Sequence, residues 1–166
     1  PVVDDMEEFQ QLPSHLEWIV THLDEVIRSL VPRLKSAERV LITGAGLYHT
    51  AALQAAGLAA QLGIFHVQAI ELPDLLDKAG GDVGREDTVL LLSGSSCRMK
   101  KMAHALASGL KEKRIPVFSI TDSNDADLVR CSEMAVLLPA LSEITGPLLH
   151  LAFLQWLIAE AREGGR

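Results

Sequence analysis

Two short turns bring together the residue types that hold anions. One is Thr43-Gly44-Ala45-Gly46-Leu47-Tyr48-His49-Thr50; the other is Leu92-Ser93-Gly94-Ser95-Ser96-Cys97. Each stands where an apolar run ends and a helical pattern begins. In the first, Gly44 and Gly46 let the backbone turn tightly and approach a ligand. The amides of Tyr48, His49 and Thr50 are then expected to point outward at a helix N-terminus, where anions are favoured. In the second, the hydroxyls of Ser93, Ser95 and Ser96 and the amides of Ser96 and Cys97 suit phosphate oxygens without a metal. Arg98, Lys100 and Lys101 follow, either as added positive charge or as a solvated helix face. Two such turns in one short α/β domain point to a phosphorylated ligand more strongly than either alone. A dinucleotide site is a competing reading of the first turn, but it reads G-x-G-x-Y-H, with His49 where that fold needs Gly. Glu71 also lies past the end of the second strand. A tight turn that holds no ligand is the other alternative. Ser93 lies in no G-x-S-x-G elbow, which argues against a hydrolase nucleophile.

The elements that must position these turns alternate regularly. Residues 1–12 read as a polar lead-in, and residues 13–166 as a single domain. Ser14 and Glu17 form a capping box before an apolar periodicity. Leu16, Ile19, Leu23, Val26, Ile27 and Leu30 then share one helix face, and Pro32 is expected to kink or end that helix. Strands are expected at Arg39–Thr43, Phe65–Ile70, Thr88–Leu92, Val117–Ile120 and Met134–Leu138. Helices are expected at Thr50–Leu62 with Gly63 as C-cap, Pro73–Lys78 ended by Gly80-Gly81, Met99–Lys111, Asp125–Arg130 and Gly146–Glu163. Continuous apolar strands alternating with helices imply a parallel sheet covered on both faces. The expected fold is α/β, a three-layer α/β/α sandwich with a five-stranded parallel sheet. Both turns fall at strand carboxyl ends, where such sheets bind ligands near a topological switch point.

The bulk numbers narrow the function class. The chain has 166 residues, enough for one full core, and a net charge of −7. It has no basic stripe interleaved with aromatics, which argues against nucleic acid. Its residues are 48% hydrophobic and only 4% aromatic. The mean hydropathy of +0.21 points to further burial by self-association. No apolar run reaches the roughly 18 residues of a spanning helix. Pro1-Val2-Val3-Asp4-Asp5 has neither the basic nor the apolar region of a signal peptide, and no initiator Met, as in a processed chain or a fragment. Cys97 and Cys131 have no metal or redox spacing, so a reduced, cytoplasmic protein is expected. No His, Asp and Glu set has metal-ligand spacing, so neither metal nor cofactor is expected. Cys97, at a helix N-terminus, is a candidate for a lowered pKa.

The chain resembles the sugar isomerase (SIS) phosphosugar-binding domain family. That family pairs a first strand ending in G-x-G-x-S with a third ending in S-x-S-G-x-[ST]. Here the matching stretches are Gly44-Ala45-Gly46-Leu47-Tyr48 and Ser93-Gly94-Ser95-Ser96-Cys97-Arg98. Tyr48 replaces a serine, Ser96 a glycine, and Arg98 a Ser or Thr. Ile115 to Asp122 is similar to the family's fourth strand, and Ala126-Asp127-Leu128 to its following helix. Glu143-Ile144-Thr145-Gly146-Pro147, continuing to Leu154-Gln155-Trp156-Leu157, is similar to the last helix of tandem-SIS proteins such as glucosamine-6-phosphate synthase. Gln11 to Leu16 resembles the helix that opens their second half.

This resemblance implies a sugar phosphate partner and either of two activities. One is an aldose–ketose isomerase working through an enediol, with Glu143 or His49 as acid/base; the other is a non-catalytic binding or regulatory module. The implied ligand-binding residues are Gly44, Gly46, Tyr48, Ser93, Ser95 and Ser96. The plainer readings are that Glu143 serves as a helix N-terminal charge and His49 caps its turn. Asp74 falls near a family acidic position but lacks the surrounding motif. His150 is expected to be buried and satisfied. His66 is expected to flank a strand and face a neighbouring subunit. His15, His22 and His104 are expected on helix surfaces. The resemblance also implies pairing of domains, hence a homodimer or higher oligomer, with the Leu148–Ile158 and Leu16–Leu34 helices at the interface.

Overall fold

In the computed structural model, the structure describes residues 2–79 and 81–164, with side chains from residue 5 onward. The elements run α1 (Val2–His22), α2 (Asp24–Ser36), β1 (Arg39–Gly44), α3 (Leu47–Gln61), β2 (Val67–Glu71) and α4 (Leu72–Lys78). They continue with β3 (Asp87–Leu92), α5 (Lys100–Glu112), β4 (Val117–Asp122), α6 (Ala126–Cys131), β5 (Met134–Leu138) and α7 (Gly146–Glu163). The five strands are all parallel, in the order β2-β1-β3-β4-β5. The expected three-layer α/β/α architecture is present.

Alternation along the buried strands builds the two cores. Val40, Ile42, Leu90, Leu92, Phe118 and Ile120 face α2, α3 and α7. Leu41, Val89, Leu91 and Val117 face α4, α5 and α6. Every residue of β3 and β4 is buried, which is why β3 carries the apolar run Val89–Leu92. Each fully buried Leu, Ile or Phe contributes about 1.5–3 kcal/mol of transfer free energy. The chain goes from β1 leftward to β2, then back past β1 to β3. The switch point therefore lies between β1 and β3, and it sets the first turn beside the serine turn.

α3 ends as its glycine requires. Gly63 has φ +64°, its N–H donates to Ala60 O, and the Ile64 N–H donates to Ala59 O, the two bonds of a Schellman motif. Gly80, expected to help end α4, lies outside the described residues.

The N-terminal expectations need correction. Residues 2–12 form the first half of α1, so Ser14 and Glu17 lie mid-helix and cap nothing. The capping-box spacing is also the i,i+3 spacing of any helix interior. Pro13 sits within α1 and Pro32 within α2 without ending either helix. Both are exposed, so water can take the carbonyl bonds that each proline forfeits. The break falls instead at Leu23, through which the bonds from Leu23 N to Ile19 O and from Ile27 N to Leu23 O still run. The surfaces expected at an interface are also largely consumed internally. Leu149, Phe153, Leu154, Leu157 and Ile158 of α7 and Ile27, Leu30 and Leu34 of α2 are buried in the chain's own core. Exposed apolar side chains remain on α1, as Met6, Phe9, Leu16 and Val20, and elsewhere at Leu47, Leu53, Ile144 and Leu148.

Candidate functional site at the carboxyl edge of the sheet

Tyr48 organises this edge. α3 begins immediately after Gly46, whose φ of +59° directs the chain back over the sheet. That places Tyr48 inward, only 3% exposed. Three glycines from three segments make room for it. A methyl group at Gly44 would stand 2.7 Å from the Tyr48 Cβ, one at Gly94 2.8 Å from its Oη, and one at Gly146 2.9 Å from the same oxygen. The phenol is therefore wedged between the end of β3 and the start of α7. His150 meets its ring edge-on, with centroids 4.9 Å apart. Burial, with Cys97, Asp122 and Glu143 nearby, pushes the phenol well above its ordinary range, so Tyr48 is protonated. Burial likewise pushes His150 down to about 3, partly opposed by Asp122, so the imidazole is neutral.

The donors of the serine turn are already engaged by carboxylates of this chain. Asp122, at the end of β4, accepts from Ser95 N at 2.8 Å and Ser95 Oγ at 3.0 Å through Oδ2, and from Asn124 N at 2.9 Å through Oδ1. Glu143, in the β5–α7 loop, accepts from the Arg98 backbone N–H through Oε1, while its Oε2 lies 3.3 Å from Arg98 Nε. These are charge-assisted bonds, roughly twice as strong as neutral ones. Ser96 Oγ donates to Leu141 O at 2.8 Å and ties the turn to the same loop. That loop is held in turn by Glu8 of α1, whose carboxylate accepts from Ser142 N. Lys100 Nζ donates to Ser95 O, so this lysine braces the turn.

Outside this closed cradle lies a cleft of about 370 Å³, lined by Ala45, Gly46, Leu47, Tyr48, Cys97, Arg98, Met99, Glu143 and Ile144. The structure thus brings Gly46, Tyr48 and Glu143 of the expected site residues together around one cleft. Ser95 and Ser96 do not line it; they are bonded to Asp122 and Leu141. Ser93 and Gly44 are buried, with the Ser93 hydroxyl against the Cys97 thiol. His49 is half-buried, with an unpartnered Nδ1, and does not line the cleft. Asp74 does not line it either.

Several chemical expectations change. The amides of Tyr48, His49 and Thr50 are not aimed at a ligand, because they bond to Ala45 O, Gly46 O and Gly46 O respectively and close the turn on itself. Burial pushes the Cys97 thiol up rather than down, so its helix-terminal position does not activate it. His150 is buried as expected, but its Nδ1 has no partner. His104 is no free surface residue, since it pairs with the buried Asp125 at 2.7 Å. His15 is half-buried, with Nε2 unpartnered. Asp122 was missed in the sequence; the available signal was an acidic residue ending a central strand opposite a serine turn.

The family model for the SIS domain matches residues 33–159, more than half of the chain. The chain belongs to the SIS domain family. Solved structures agree on the fold of this SIS domain. A protein from E. coli CFT073, solved as a ligand complex, matches with a TM-score of 0.81 at 18% identity, over 95% of this chain and 87% of that one. The C-terminal domain of glucosamine-fructose-6-phosphate aminotransferase from Francisella tularensis gives 0.81 at 17% identity, over 95% of this chain and 44% of that one. The Vibrio vulnificus NanR protein complexed with ManNAc-6P gives 0.72 at 20% identity, over 95% and 60%. No curated protein sequence matches the chain significantly. Among the described residues, no helix is long and apolar enough to cross a membrane. The three departures noted in this SIS domain, Tyr48, Ser96 and Arg98, are the residues that close its cradle or tie it to the β5–α7 loop.

Proposed function

We propose that this SIS domain binds a sugar phosphate without transforming it. The observation that carries this reading is the serine turn itself, whose donors converge on anions, here the carboxylates of Asp122 and Glu143. Glu143 is the more exchangeable of the two. Its partner Arg98 is 90% exposed at the side chain, and both line the 370 Å³ cleft. A ligand phosphate displaces the Glu143 carboxylate, taking the Arg98 N–H and guanidinium, and the sugar lies in the cleft between Leu47, Met99 and Ile144. The ManNAc-6P held by the NanR protein of similar fold fits the same ligand class.

Catalysis is the less supported reading. An isomerase needs a general base free to reach a carbon-bound proton. His49 stands outside the cleft, and Glu143, tied to Arg98 in the free protein, has no other partner among the described residues to hold it over the sugar once a phosphate displaces it. A calorimetric titration with pentose, hexose and amino-sugar phosphates, followed by NMR of each mixture, tests the reading. Saturable binding of at least one, with no aldose–ketose interconversion, is expected. Interconversion by wild type that Glu143→Gln abolishes would replace this reading with the isomerase one, and no binding of any sugar phosphate would remove both.

A further inference from the structure

The position that a small residue would leave open in front of the serine turn is filled twice over. Tyr48 Oη stands 2.8 Å from the point where a Gly94 methyl would lie, and Asp122 Oδ2 stands 3.4 Å from the same point. The phenol and the carboxylate therefore share one small space beside Gly94. One fills its volume; the other takes its donors, Ser95 N and Ser95 Oγ. The Ser93 hydroxyl, next in the chain to Gly94 and only 1% exposed, is closed off from solvent. Gly146, where a methyl would stand 2.9 Å from the phenolic oxygen, closes the far side.

We infer that Tyr48 and Asp122 together are a built-in occupant of the inner anion subsite, and that they set specificity by confining a ligand's phosphate to the outer position at Arg98. Each works by a different means. Tyr48 excludes by volume, because no phosphate fits beside a ring wedged between two glycines. Asp122 excludes by charge, because a second anion brought against its carboxylate is repelled. The outer phosphate is then held chiefly by the exposed Arg98, so its binding is sensitive to salt in a way that an enclosed cradle's would not be. The inference rests on the sugar-phosphate reading only for the nature of the outer ligand; the closed inner subsite stands on geometry alone.

The test uses inorganic phosphate and glucose 6-phosphate as probes, titrated calorimetrically at low and at raised salt. The proteins are wild type, Tyr48→Ser with Asp122→Asn, and that double variant with Ser95→Ala added. If the serine at position 48 prevents folding, judged by thermal melting, Tyr48→Leu keeps the apolar body of the side chain and still vacates the space beside Gly94. The double variant should bind inorganic phosphate at least tenfold more tightly than wild type, with a weaker salt dependence, and Ser95→Ala should remove most of that gain. A folded double variant that binds phosphate no better than wild type overturns the inference, even if glucose 6-phosphate binds wild type. A gain in the double variant with no sugar phosphate binding to wild type upholds the inference and removes the functional reading instead.

Discussion

Replacing Gly94 by alanine tests the placement of Tyr48 in quantitative terms. The new methyl would stand 2.8 Å from Tyr48 Oη, about 0.6 Å inside the 3.4 Å lower limit of ordinary contact. Its other near neighbours, Asp122 Oδ2 at 3.4 Å and Tyr48 Cζ at 3.7 Å, are tolerable. Gly94 is not in the left-handed region, so backbone strain does not enter. The phenol cannot swing away, because Gly146 and the His150 ring hold its other sides. Overpacking of this kind costs about 1–3 kcal/mol. Removing the hydroxyl with Tyr48→Phe leaves the Cζ contact as the closest ring approach, and the cost of Gly94→Ala should fall to within about 0.5 kcal/mol of zero. Urea denaturation of wild type, both single variants and the double closes the cycle. A coupling of about 1–3 kcal/mol in favour of the double variant is expected. Strict additivity, within about 0.5 kcal/mol, would refute the wedge.

Three further outcomes follow from the same geometry. Asp122→Ala strands Ser95 N, Ser95 Oγ and Asn124 N and should cost about 2–4 kcal/mol; millimolar formate, which fits the vacated carboxylate position, should restore part of that loss in thermal melts, and no formate effect beyond that on wild type would count against the bonding pattern. His150 has a folded-state pKa of about 3, below its unfolded value near 6.5, so between these pH values the unfolded chain binds the extra proton. Stability should therefore fall as pH drops through that window, by roughly 1 kcal/mol per unit from this residue, and His150→Phe should flatten that part of the slope; an unchanged slope in urea melts from pH 6.5 to 4 would contradict it. On α1, Met6, Phe9, Leu16 and Val20 are 57%, 57%, 41% and 60% exposed along one side, which we propose meets a second copy of the chain; sedimentation equilibrium should give a mass above the monomer for wild type and the monomer for Phe9→Glu with Val20→Glu, and a monomeric wild type at micromolar concentration would rule this out.

The sheet was legible because parallel strands buried on both faces leave runs such as Val89-Leu90-Leu91-Leu92, which admit few other readings. α7 was legible from end to end, since Gly146-Pro147 opens it and its apolar residues fill a helical period. The N-terminal helices were not, because Ser14 and Glu17 match a cap by spacing alone, and prolines on an exposed face do not stop a helix that its other face anchors. The meeting of the two turns was legible too: the glycine- and serine-bearing turns both lie at the β1/β3 switch point. Its state was not. Tyr48 points inward only because glycines from the β1–α3 turn, the serine turn and α7 make room for it, and no local pattern announces that. The residues that fill the serine turn come from 27 and 45 positions along the chain, a pairing that the fold creates and local spacing cannot reveal.

Backbone amide NMR of the wild-type protein, titrated with a sugar phosphate that binds it, addresses the central claim most directly. On binding, the Arg98 amide should shift as Glu143 is displaced, while the Ser95 amide stays bonded to Asp122 and does not move. Glu143→Gln should raise the affinity several-fold by removing the competing carboxylate. A large shift at Ser95 with none at Arg98, or a loss of affinity in Glu143→Gln, would contradict the claim.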